Sequence, residues 1–173
     1  MIVMTESRLK FIVDSMLGDV ARWLRMLGYD TLYYRDVDDE TLISIAIKDN
    51  RVLITRDKSL AIKAKRKGLR VVYLGKADDI ISRLTIIRRY YPISLDIDPN
   101  RSRCPLCNGI LKPVEPWEVK NKVNEIIMER YSKFWLCTKC GKVYWKGTHW
   151  ITMEKILLEV KKRVKVGTNR KEN

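Results

Sequence analysis

The stretch Lys10-Phe11-Ile12-Val13-Asp14-Ser15-Met16-Leu17-Gly18-Asp19-Val20-Ala21-Arg22-Trp23-Leu24-Arg25-Met26-Leu27-Gly28 decides how the first hundred residues are read. It opens with a short apolar run that ends in an acid, as a buried strand does. Residues 19–27 then change period, with Val20, Trp23, Leu24 and Leu27 on one side of a helix that Gly28 can end. The alternation continues, with strands at 31–34, 51–55 and 69–74 and helices at 41–48, 60–67 and 79–90. Strands and helices alternating at this spacing predict an α/β fold, a parallel sheet wound with helices, because parallel neighbours need crossover connections. Ile93-Ser94-Leu95-Asp96-Ile97 alternates apolar and polar and predicts a fifth strand before Pro99.

On this frame the acids fall at one edge of the sheet. Asp14 ends the first strand, Asp36, Asp38, Asp39 and Glu40 follow the second, Asp57 follows the third, and Asp78 and Asp79 follow the fourth. Ligands of open parallel sheets bind at that edge, and carboxylates converging there repel one another unless a cation lies between them. A hard ion such as Mg²⁺ or Mn²⁺ takes carboxylate oxygens and water, and it supports attack of water on a phosphodiester. Plainer roles compete. Asp38 or Asp39, and Asp78, suit helix caps, Asp36 suits a loop, and Asp19 suits the positive end of a helix dipole. Asp14 is the hardest to explain in that way, because it follows directly on Phe11-Ile12-Val13; Asp57 is similar.

The chain has only four cysteines, in two pairs, Cys104-Pro105-Leu106-Cys107 and Cys137-Thr138-Lys139-Cys140. Two CxxC knuckles predict a tetrahedral, structural Zn²⁺ with no open position for water. His149, the only histidine, is then not needed as a ligand. Two disulfides are the alternative in a secreted chain. The opening residues lack a basic start followed by an apolar run, and no apolar stretch approaches the length of a membrane span, so a soluble, cytoplasmic protein is expected. Between the knuckles, residues 117–128 have helical spacing, while 134–136 and 143–145 read as strands. From Trp150 the positions Met153, Ile156, Leu157, Val160 and Val164 predict an amphipathic C-terminal helix that docks back on the first domain, and residues 167–173 are expected to be mobile.

The net charge of +14 is uneven. Residues 1–100 carry 18 Lys+Arg against 14 Asp+Glu, and residues 101–173 carry 17 against 7, so a phosphate-bearing partner would be drawn to the second part. There Tyr144, Trp145 and Trp150 alternate with Lys142 and Lys146. That pattern suits stacking of unpaired bases with lysines on phosphates, or else the core of a small module.

Together these residues resemble a known family. Asp14, the run 18–30, Asp38-Asp39-Glu40-Thr41-Leu42 and Val52-Leu53-Ile54-Thr55-Arg56-Asp57 resemble the Mut-seven C-terminal RNase family. So do Arg103-Cys104-Pro105-Leu106-Cys107-Asn108-Gly109 and Tyr144-Trp145-Lys146-Gly147-Thr148-His149-Trp150. The resemblance implies a PIN-like nuclease domain over 8–98, a four-cysteine zinc-ribbon domain with an insertion over 101–150, a helix over 150–166 and a tail over 167–173. It implies a metal-dependent endoribonuclease whose catalytic acids, and Mg²⁺ or Mn²⁺ ligands, are Asp14, Asp39 and Asp57. Glu40 is the fallback for the middle position, and Asp78 or Asp79 loosely matches a fourth acid. Asp19 stands where the family commonly has lysine and is a second-line ligand. Arg22, Arg25 and Arg56 are expected near the same edge, to meet phosphate or to pair with the acids. Lys142, Trp145, Lys146 and His149 are expected to contact RNA. PIN-like relatives commonly dimerise, so a homodimer is a further expectation. Competing readings are an RNA-binding zinc protein without nuclease activity, a Nob-type ribosomal RNA processing nuclease, and a receiver-like phosphoacceptor domain. The receiver reading leaves the cysteines unexplained.

Overall fold

The computed structural model describes residues 9–168. β1 (Lys10–Val13) and β3 (Val52–Thr55) are almost wholly buried and form the centre of a parallel sheet. β2 (Asp30–Tyr33) and β4 (Val71–Tyr73) flank them in the order β2-β1-β3-β4. Strands buried on both faces need helices on both. Phe11, Val13, Val52 and Ile54 enter one core with residues of α1 (Gly18–Met26) and α4 (Ile80–Tyr90); Ile12 and Leu53 enter another with α2 (Asp39–Lys48) and α3 (Lys58–Arg66). The chain thus leads outward to β2 over one face and returns to β3 over the other. Its direction of winding reverses between β1 and β3, and at such a point a crevice opens beyond the C-terminal ends of the strands.

The expected fifth strand is not formed. Residues 93–97 form no regular element and join neither sheet. Their alternation is satisfied by packing instead: Ile93 and Leu95 enter the α1/α4 core, the Ser94 N–H donates to the Tyr29 hydroxyl (2.6 Å), and Asp96 takes Lys161 (2.6 Å).

The chain then forms an antiparallel sheet of β5 (Leu111–Val114), β6 (Phe134–Cys137) and β7 (Val143–Trp145). The helix expected over 117–128 is two short ones, α5 (Pro116–Val119) and α6 (Glu125–Arg130). Asn124 separates them, because its side chain accepts the Ile126 N–H (2.8 Å) and caps a new helix start. Val119, Val123 and Ile127 still share one small core with Phe134 and Val143, which is why their spacing reads as a single helix. α7 (Thr148–Thr168) lies against α4 and buries Leu157 and Val160 in the main core. Its backbone includes residues 167 and 168 of the tail expected to be mobile; the rest of that tail lies outside the described residues.

The cysteine module docks on the N-terminal edge of the parallel sheet, opposite the crevice. Arg25, in the last turn of α1, is 6 % exposed. It donates from Nε to the Thr31 carbonyl (2.9 Å) and from Nη1 to those of Pro105 (3.0 Å) and Leu106 (3.2 Å). Asn108 accepts the Thr31 N–H (3.1 Å) and donates to Asp30 (2.8 Å), which also pairs with buried Arg51 (2.9 Å). Gly28, at φ +96°, lets the linker approach, since a Cβ there would lie 3.0 Å from the Arg101 carbonyl oxygen. Arg25 therefore stands at the edge opposite the one expected for it, and it meets backbone carbonyls rather than phosphate. Replacing Arg25 by Met keeps the stem but orphans three carbonyls, which should destabilise the protein by about 2–4 kcal/mol. Lysine cannot reproduce the fork and should lose nearly as much. Urea unfolding checks both; an unchanged midpoint would show that the clamp contributes nothing.

Candidate active site and metal centre

Asp14 follows β1 into the crevice and is 7 % exposed. Its Oδ2 accepts the Thr55 hydroxyl and the Arg56 N–H (3.1 Å), while its Oδ1 accepts the Met16 N–H (3.0 Å). A carboxylate offers about four lone-pair sites, so Oδ2 is filled while Oδ1 keeps one for a cation. The Thr55 Oγ1 also accepts the Asp57 N–H (2.9 Å), so one buried hydroxyl ties the acid after β1 to the acid after β3. Asp57 caps α3 through Oδ1, which accepts the N–H groups of Ser59 (2.6 Å) and Leu60 (3.0 Å); its Oδ2 has no protein partner among the described residues. Thr55 was missed in the sequence, although a polar residue closing a wholly apolar strand just before an acid is a readable signal.

The remaining acids divide between this edge and structural duties. Asp38 caps α2, accepting the Thr41 N–H (3.0 Å) and hydroxyl (2.7 Å), which hold its carboxyl below the usual range. Asp39 is exposed in the first turn of α2, within electrostatic reach of Lys63. Glu40 pairs with Lys63 of α3 (2.8 Å) and with Lys67 directly after that helix, which hold its carboxyl below its ordinary range. Asp19 is held by Arg83 (2.6 Å), Asp78 by Arg56 (2.7 Å), and Asp79 caps α4. Arg22 is exposed on α1, and Arg56 also donates to the Gly75 carbonyl (3.3 Å). Among the described residues these acids do not close into a group of three or more that could share an ion.

The cysteines do close. The four Sγ atoms lie within 4.8 Å of one another, with Cys104–Cys140 at 3.7 Å and Cys107–Cys137 at 3.4 Å, and none is in a disulfide. A ZnS₄ tetrahedron with bonds of about 2.3 Å has edges of about 3.8 Å, so the quartet fits zinc. Burial pushes the Cys107 thiol up to about 12. Against the same effect, the N–H groups of Cys140 and Lys139 draw Cys137 down to about 7. Gly109 makes room for the quartet, since a Cβ there would lie 2.8 Å from the Cys137 sulfur. Tyr144 places its hydroxyl 3.0 Å from the Cys104 sulfur, and Trp145 packs against Tyr131 and Phe134 (6.5 Å each), so both belong partly to the module's core. Lys142, Lys146 and His149 are exposed, with the Lys146 ammonium 4.8 Å from the centre of the Trp150 ring.

Fold and site together define an α/β domain with a carboxylate-lined crevice and a fused four-thiol module able to hold zinc. The family model of the Mut7-C RNAse domain matches residues 9–157, which takes in both parts, and the chain belongs to that family of ribonuclease domains. Searches of the curated proteins and of the solved structures find no match. No helix among the described residues is long and apolar enough to cross a membrane.

Elemental analysis of the purified protein should find a single zinc per chain. Gly109→Ala should weaken its retention roughly 10- to 100-fold in chelator competition, the range for changes in the support of metal ligands. Undiminished retention would mean that the close approach at Gly109 is not required.

Proposed function

We propose that the protein is a metal-dependent, PIN-like endoribonuclease that hydrolyses phosphodiesters in single-stranded or flexible RNA, with the zinc ribbon as an RNA-binding surface. The observation that carries this reading is the Thr55 hydroxyl linking Asp14 and Asp57 at the reversal of winding, in a chain of a ribonuclease family. Mg²⁺ is typically held by one or two carboxylates, the rest of its shell being water and substrate phosphate, so the oxygens left open on Asp14 and Asp57 suffice, with Asp39 within the same edge. A bound divalent ion supplies charge neutralisation at the phosphate and activation of the attacking water. Asp14 and Asp57 hold fixed negative charge at this point, because backbone N–H groups orient both. Arg56, beside them, offers guanidinium charge to a neighbouring phosphate. Asp19 and Glu40, engaged by Arg83 and by Lys63 and Lys67, serve this reading as structural ion pairs.

One observation favours a second reading: the acids do not close into a cluster, as in an RNA-binding protein without cleavage. Cleavage of an unstructured RNA with Mn²⁺ or Mg²⁺ separates the two. The wild-type protein should release products with 5′-phosphate ends. Asp14→Asn and Asp57→Asn should each slow cleavage by at least about 100-fold, as losses of transition-state stabilisers do. Asn at 57 keeps the helix cap, so that loss reports on the charge. Asp38→Asn, also a competent cap, should stay within a few-fold of wild type. Full activity in both crevice variants would overturn the assignment of the acids, and binding without cleavage would favour the second reading.

A further inference from the structure

A cleft of about 280 Å³ opens where the cysteine module, the linker before it, the end of α1 and the start of α7 meet. Trp135, Tyr144, Trp145 and Trp150 line it, with Met26 and Met153 among its other walls. The polar atoms of three of these aromatics are committed elsewhere. Trp135 donates to Asn100 (2.9 Å), Trp150 donates to Glu154 (2.9 Å), and the Tyr144 hydroxyl meets Cys104. They therefore offer the cleft ring surface rather than hydrogen bonds. Two exposed side chains of the lining, Lys142 and His149, lie beside the rings, and Lys146 adds its charge over Trp150. The occupant these features fit is flat and aromatic and carries negative charge outside the cleft.

We infer that this cleft receives a single unpaired base of an RNA strand, whose phosphates lie on the lysines at its rim. The inference rests on the ribonuclease reading and adds to it an anchoring site away from the acids. The volume lies just below the range of about 300–1,000 Å³ for pockets that enclose drug-sized ligands, which suits one base rather than several. Stacking without hydrogen-bond readout is tolerant of sequence, because every base has a π-face. The excess of positive charge in residues 101–173 is the electrostatic complement of the flanking phosphates.

The position of the cleft has a consequence for how RNA lies on the protein. The cleft is at the N-terminal edge of the parallel sheet and the acids are at the C-terminal edge. α7 starts at the cleft, and its Arg163 reaches Ser82 (3.2 Å), in the first turn of α4 beside the cap Asp79. From Thr148 to Arg163 the helix rises by roughly 22 Å. The anchored base therefore belongs to a nucleotide well removed from the scissile bond, and the basic side of α7 lies between the two.

The test compares a short unstructured RNA with a strand of the same length that lacks every base, using the zinc-loaded full chain without Mg²⁺ or Mn²⁺. Wild type should bind the base-bearing strand about 5- to 100-fold more tightly, the contribution of one stacked base. Trp150→Ala should abolish that preference while keeping its zinc and the salt dependence of binding. Met153→Trp, which fills the cleft instead of opening it, should do the same and decides the matter if Trp150→Ala does not fold. A preference that survives in the folded variants, or that wild type lacks, would overturn the base site. Cleavage by wild type with Mn²⁺ keeps the two inferences apart: a protein that cuts RNA without any preference for bases loses only the cleft assignment, and one that neither cuts nor binds loses the ribonuclease reading.

Discussion

The buried guanidinium of Arg25 holds the two parts of this protein together. Burial lowers the pKa of this guanidinium below its ordinary value, and Asp30, with the knuckle sulfurs where they are ionised, works in the opposite direction. A zinc ion with four thiolates carries a net negative charge, so loading the module places a compensating anion beside this cation. Metal binding in a small cysteine module is also folding free energy. Through Arg25 that free energy extends into the linked domain, because the carbonyls of Pro105 and Leu106 that receive the guanidinium belong to the first knuckle.

Docking at the N-terminal edge leaves the other edge open. In a parallel sheet the strands deliver their following loops to one side, and the reversal of winding between β1 and β3 parts the flanking helices there. The molecule thus has a closed end, sealed by Arg25, Asn108 and Asp30, and an open end lined with acids. α7 runs alongside α4 between them, with Leu157 and Val160 anchored in the main core and lysines and arginine along its exposed side.

The parts legible in the sequence were those determined by local spacing. The change of period after Asp14 marks β1 and α1, the later alternation marks the parallel sheet, and the two CxxC pairs mark the quartet of sulfurs. What could not be read was pairing over long separations. Asp19 meets Arg83, Glu40 meets Lys63 and Lys67, and Arg25 meets a knuckle some eighty residues away. Each of these side chains has the right chemistry for an active site, and only the packing of helices decides which partner it meets. The missing fifth strand has a similar cause. Alternation at Ile93 and Leu95 reports one buried face, and a helix-covered core satisfies that pattern as well as a sheet does.

Asp57 shows why a cap and a ligand need not be competing roles. A helix start presents free N–H groups and positive potential, which fix a carboxylate at its N-cap in direction. One oxygen of Asp57 meets those groups, which leaves the other without a protein partner among the described residues. Asp38 and Asp79 are caps as well, but there the second oxygen accepts the Thr41 or Ser82 hydroxyl; α2, α3 and α4 thus all direct their positive ends toward the crevice edge. Without the acids, that edge would attract phosphate at three separate points. With them, the potential of each helix is locally neutralised. Asp14 and Asp57 differ from the other acids of that edge in sharing the Thr55 hydroxyl, which donates to the Asp14 carboxylate and accepts the Asp57 backbone N–H, while the other caps remain apart.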